Sequence, residues 1–119
     1  MSFTNCHEDL EIWKLSIGLV KETYIITRAF PDEERFVLTS QMRRAAISVP
    51  SNIAEGAGRN SKKEFSHFLK ISLGSLAELE TQFVISKELE YLNDFSEIKA
   101  LIKRIRIMTS SLIQKLSSP

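Results

Sequence analysis

The stretch from Ser40 to Arg59, SQMRRAAISVPSNIAEGAGR, constrains this chain most. With Leu38 just ahead of it, Met42, Ala45, Val49 and Ile53 recur at spacings of three and four, which is one face of an α-helix turned toward a core. Arg44, Ser48, Asn52, Glu55 and Arg59 step along another side of the same helix. Unpaired polar groups are costly to bury, so a polar row this close to an apolar stripe is either solvated or hydrogen-bonded between helices.

Pro50 interrupts the pattern chemically but not in phase. An interior proline removes one backbone hydrogen bond and clashes with the carbonyl four residues earlier, at a cost of about 3 kcal/mol. Either the helix stops near Val49 and restarts, or it continues with a kink while a side chain or water satisfies Ala46. Unbroken apolar spacing through Ile53 favours the kink.

Caps and stops delimit three further helices. Asn5 with Glu8 reads as a capping pair for a first helix over 7–29, which ends before Pro31. In it Leu10, Trp13, Ile17, Val20 and Tyr24 form one stripe, and Ile12, Leu15, Leu19 and Ile26 a second. One stripe serves a monomeric bundle; the second calls for another partner, most simply a copy of the same chain. The helix carrying Pro50 spans 32–55, since Pro31 and the acidic Asp32, Glu33 and Glu34 suit a helix N-terminus. Gly56-Ala57-Gly58 ends it, and Ser61 with Glu64 forms the capping box of a third helix over 61–91. That helix turns Phe65, Phe68, Leu69, Ser72, Leu76, Leu79 and Phe83 inward, and Gly74 and Ser75 leave room for a close neighbour. Asn93 or Asp94 caps the last helix, 94–116, with Ile98, Leu101, Ile105, Met108, Leu112 and Leu116 as its stripe. Four helices of similar length joined by short connections predict an all-α, antiparallel up-down-up-down four-helix bundle as one domain over 1–119.

The motifs also carry a resemblance. Leu10, Trp13, Phe30-Pro31, Glu34, Ser40-Gln41 and the run from Arg43 to Arg59 resemble the bacterial four-helix bundle family of 23S rRNA intervening-sequence proteins, or S23-type proteins. Glu64-Phe65, Phe68-Leu69, Gly74-Ser75, Glu78 and Glu80 extend the likeness to roughly Leu10–Leu92, while the last helix agrees only in hydrophobic pattern. The resemblance implies one kinked helix through Pro50 and a ring-shaped pentamer. It also implies a link to genes inserted in ribosomal RNA and to the nucleic-acid-binding accessory protein of diversity-generating retroelements.

Little points to catalysis. The single cysteine, Cys6, excludes an internal disulfide and sits beside His7 without an enclosing pocket. His7 and His67 lie on different helices and no second cysteine is available for a thiolate site, so no metal and no cofactor is expected. Gly56-Ala57-Gly58 followed by Lys62 and Lys63 lacks the spacing of a phosphate loop, leaving at most an anion at the third helix's N-terminus. No export signal is legible and no apolar run approaches the ~20 residues of a membrane span, which predicts a cytoplasmic protein.

Two surfaces remain as site candidates. Arg43, Arg44, Asn52 and Glu55, with Glu78 or Glu80 opposite, predict a polar network between helices, with Arg44 and Glu78 as the preferred charge-assisted pair. Such a network fixes register and orientation, or else opens as a ligand site. The net charge is only +1, but from residue 99 onward Lys99, Lys103, Arg104, Arg106 and Lys115 stand without one acidic residue. Lys99, Lys103 and Arg106 share a face that a ring of subunits would multiply. No aromatic alternates with these cations. The expected function is a non-enzymatic, self-associating interaction protein that binds RNA, DNA or an RNA-associated protein through this surface. The alternative is a scaffold that binds a protein or small ligand at the Arg/Asn/Glu cluster without nucleic acid.

Overall fold

Leu38, Met42, Ala45, Val49 and Ile53, the stripe that leads the sequence pattern, are all buried. They lie on the second of four helices in a computed structural model that describes residues 7–118. The helices are α1 (Glu11–Thr27), α2 (Leu38–Ala57), α3 (Lys62–Glu88) and α4 (Ser96–Leu116), and there is no strand among the described residues. Each helix packs on the next and α1 also packs on α4, with the α2–α3 interface the most extensive. Phe65, Phe83, Leu19, Met42, Ile53, Leu69, Leu76, Leu79, Ile102 and Ile105 fill the centre.

The first helix starts later than its sequence predicts. His7–Asp9 form a short 3-10 turn, Leu10 is extended, and α1 begins at Glu11. Asn5 of the expected capping pair lies outside the described residues. The buried face of α1 is Ile12, Ser16, Leu19, Thr23 and Thr27, whereas the stripe of Trp13, Ile17, Val20 and Tyr24 lies toward the surface. Hydroxyl residues can occupy the core side because each finds an acceptor one turn back. Ser16 donates to the Ile12 carbonyl at 2.6 Å, Thr23 to Leu19 at 2.8 Å and Thr27 to Thr23 at 2.7 Å.

The helix expected from residue 32 is also shorter at its start. Asp32–Glu34 make a separate 3-10 turn and α2 begins at Leu38, where the Glu34 carboxylate accepts the Leu38 N–H at 3.4 Å. Between the two, Phe36 and Val37 stand exposed. From Leu38 the α-helix runs on through Pro50 to Ala57 without a restart.

Glycine acts at the end of α2, though not as a left-handed cap. Gly58 closes the helix in right-handed conformation at φ −79°. Gly56 is the critical one, because a Cβ there would lie 2.8 Å from Phe68 Cβ and 2.9 Å from Phe65 Cδ1. The last turn of α2 thus rests directly on α3. Ser61 then accepts the Glu64 N–H at 3.2 Å, giving α3 the cap its sequence predicts.

Serines set the spacing between α2 and α3. Ser72 Oγ donates to the Val49 carbonyl at 2.9 Å, Ser75 Oγ meets Ser48 Oγ at 2.8 Å, and Ser86 Oγ reaches Met42 Sδ at 3.4 Å. Partners descend along α2 as they ascend along α3, so these two helices run in opposite directions. Gly74 has nothing within 4 Å of where its Cβ would lie, so the room it leaves is not filled by another helix among the described residues. At the far end Glu90 takes a left-handed φ of 65° and the Tyr91 N–H returns to the Ser86 carbonyl at 2.9 Å, a closure that stops α3 short of residue 91. Asp94 holds the start of α4 by accepting the Ser96 N–H at 3.1 Å.

Candidate nucleic-acid interface

Arg44 lies five residues from buried Val49, about 140° around the helix, so it turns outward. Glu78 on α3 is exposed as well, and the preferred Arg44–Glu78 pair does not form within the chain. The rest of the expected polar row divides into three local arrangements. Asn52 donates back to the Ser48 carbonyl at 2.8 Å and to Ser48 Oγ at 2.9 Å. Glu55 pairs with Arg59 at 2.8 Å, and Arg59 also reaches Glu64 at 3.5 Å, joining the end of α2 to the start of α3. Glu80 pairs with Arg106 of α4 at 3.2 Å.

Arg43 is set apart from all of these. Its Nε donates to Thr27 Oγ1 at 2.9 Å, its Nη2 to the Tyr24 carbonyl at 3.5 Å, and its guanidinium lies 4.3 Å from the Tyr24 ring centre. Thr27 therefore serves two elements at once: it completes the last turn of α1 and orients an arginine of α2.

Along α4, Lys99, Lys103 and Arg104 are exposed and take part in no ion pair among the described residues. Arg106, expected to share their role, has its charge opposed by Glu80. The buried side of α4 is Ile98, Ile102, Ile105, Thr109 and Leu116, which leaves Lys99 and Lys103 facing solvent beside α3.

A denser cluster sits where α1 ends and α2 begins. An open cavity of about 440 Å³ there is lined by Arg35, Arg43 and Arg44, by the rings of Tyr24 and Phe36, and by Thr39, Ser40 and Ile47. Arg35 lies 5.3 Å from the Phe36 ring centre, and none of the three arginines is in an ion pair among the described residues. Arg35 and Phe36 do not stand out in the sequence, because the helix expected over 32–55 runs through them and an aromatic there is expected to face a core. The available signal was Phe36-Val37 following four charged residues at the foot of a proline turn. At the opposite end of the bundle, Lys62, Ser66 and Lys70 of α3 meet Leu116 and Ser117 around an opening of about 530 Å³.

Among the described residues no three of His, Cys, Asp or Glu gather as metal ligands, and no helix is long and apolar enough to cross a membrane. His7 rests edge-on against Trp13 at 5.2 Å and His67 against Phe68 at 5.5 Å. Cys6 lies outside the described residues.

The chain matches the 23S rRNA-intervening sequence protein family over residues 8–111, and it belongs to that family. No curated protein matches it.

Proposed function

We propose that this member of the 23S rRNA-intervening sequence protein family is a non-enzymatic interaction protein that assembles with copies of itself and engages RNA, or a protein bound to RNA, through a basic surface. The observation that carries the reading is the outer side of α1, where Ile17 and Ile25 are each 44% exposed beside half-buried Trp13, Val20 and Tyr24. A helix with its core face already filled gains by covering such a second apolar face, and a further copy of the chain supplies a cover of matching shape. A ring pentamer is the assembly that the resemblance to S23-type proteins favours.

The polyanion part of the reading is supported by Lys99, Lys103 and Arg104, which take part in no ion pair among the described residues. Assembly would repeat them around a ring and raise their joint attraction for phosphate. The scaffold alternative, a ligand at the Arg/Asn/Glu cluster, loses support because Asn52, Glu55 and Glu80 already have partners. A cytoplasmic location accompanies this reading.

Light-scattering mass across a salt series, with and without short RNA and DNA, tests both parts. The expected result is an oligomer that gains nucleic-acid mass at low salt and loses that gain in Lys103→Glu. A monomer at every concentration would overturn the assignment of α1, and an oligomer indifferent to nucleic acid would overturn the assignment of α4.

A further inference from the structure

Three guanidinium groups that converge without a carboxylate repel one another, and a fold tolerates that where an anion arrives to compensate them. Arg35, Arg43 and Arg44 do so around one cavity of about 440 Å³, within the size range of small-ligand sites. Beside them Phe36 is 84% exposed, the most exposed large apolar side chain described, so its ring presents a flat face to solvent. Arg43 is held in place by Thr27 and the Tyr24 ring, whereas Arg44 has no ion-pair partner among the described residues. Thr39 and Ser40 add hydroxyls to the same wall.

From this juxtaposition we infer that the corner between α1 and α2 is a binding site for single-stranded nucleic acid, with one base stacked on Phe36 and the adjoining phosphates on Arg35 and Arg44. The inference rests on the reading of this protein as a polyanion binder and gives that reading a site other than α4. Aromatic stacking combined with cations is how proteins hold single strands without sequence preference, since every base has a π-face. A duplex hides its base faces and could use only the arginines. An acidic peptide would likewise use the arginines and leave Phe36 idle. Asp32 lines the adjoining opening together with Arg28, Arg35 and Arg43, so its carboxylate would turn the phosphates toward the Arg44 side.

The test is fluorescence anisotropy of a short labelled oligouridine, a duplex of equal length and a polyglutamate peptide, with mass measured alongside. Phe36→Ala should weaken the oligouridine by about five- to 150-fold, as expected for one lost stack. It should leave the duplex unchanged, and Phe36→Trp should restore binding. Arg35→Gln/Arg44→Gln should reduce the salt slope by about 1.4, corresponding to two phosphate contacts on a single strand. Loss of binding in Lys99→Gln/Lys103→Gln but not in Phe36→Ala would overturn this site and keep the reading on α4. Absence of binding by the unmodified protein would overturn both. Equal dependence of polyglutamate on Phe36 would make this an acidic-peptide site instead, and a change of oligomer mass in Phe36→Ala would make Phe36 a subunit contact.

Discussion

The Tyr91 hydroxyl donates to Glu34 Oε2 at 2.8 Å, and the other oxygen of the same carboxylate accepts the Leu38 N–H at 3.4 Å. One side chain thus fastens the α3–α4 connection to the start of α2. The Tyr91 ring also lies 5.4 Å from the ring of buried Phe30, so the α1–α2 connection joins the same corner.

The hydrogen bond to Glu34 raises the Tyr91 pKa above 10.0, helped by desolvation and by the negative charges of Glu34 and Glu33. A phenol whose pKa is higher folded than unfolded contributes stability fully below pH ~10 and loses it as pH rises through the folded value. The thermal midpoint of the unmodified protein should therefore fall more steeply above pH ~10 than that of Tyr91→Phe. In a Tyr24→Phe background, where Tyr91 is the only tyrosine, spectrophotometric titration should show a lower midpoint in Glu34→Gln.

Gly56 and Gly74 make opposite predictions. A Cβ at Gly56 would press on Phe65 and Phe68 at under 3 Å. Gly56→Ala should cost about 1–3 kcal/mol in urea denaturation, as overpacking does. Gly74 is mid-helix and open, so Gly74→Ala should stabilise by about 0.8–1 kcal/mol. A loss at Gly74 instead would mean that assembly covers this surface.

Glu90 sits at φ 65° in the position after the α3 cap where glycine is favoured. Relief of left-handed strain, worth roughly 1–2 kcal/mol, exceeds the extra entropy of an unfolded glycine of about 0.4–1 kcal/mol. Glu90→Gly should raise the urea midpoint with an unchanged slope. A lower midpoint would show that the Glu90 side chain contributes more than its backbone costs.

Helix count and the α2 face were legible because Leu38, Met42, Ala45, Val49 and Ile53 are apolar and uniformly spaced. The α1 face was not, because Ser16, Thr23 and Thr27 occupy core positions that a hydropathy pattern assigns to water; their hydroxyls are satisfied on their own helix, which no spacing rule reports. Pairing across helices was illegible for a related reason. Ser48 with Ser75 and Glu80 with Arg106 depend on helix rotation and register, and two unrelated residues can share a spacing without facing each other. The arginine–aromatic corner depends on where α2 starts, and Asp32–Glu34 resemble the first turn of a helix while forming a turn of their own.

Glu80 offers a direct measure of α4 as a polyanion surface. Its carboxylate opposes Arg106 at 3.2 Å on a half-exposed face, so the pair contributes no more than about 1 kcal/mol to folding. Glu80→Gln should leave the thermal midpoint nearly unchanged and release one cation beside Lys103. Single-strand affinity at low salt should then rise, with the salt slope steeper by about 0.7, while Lys103→Gln should make it shallower by a similar amount. Anisotropy titrations at several salt concentrations read both changes. If neither variant alters the slope, nucleic acid does not lie along α4, and the cations there only keep that face in water.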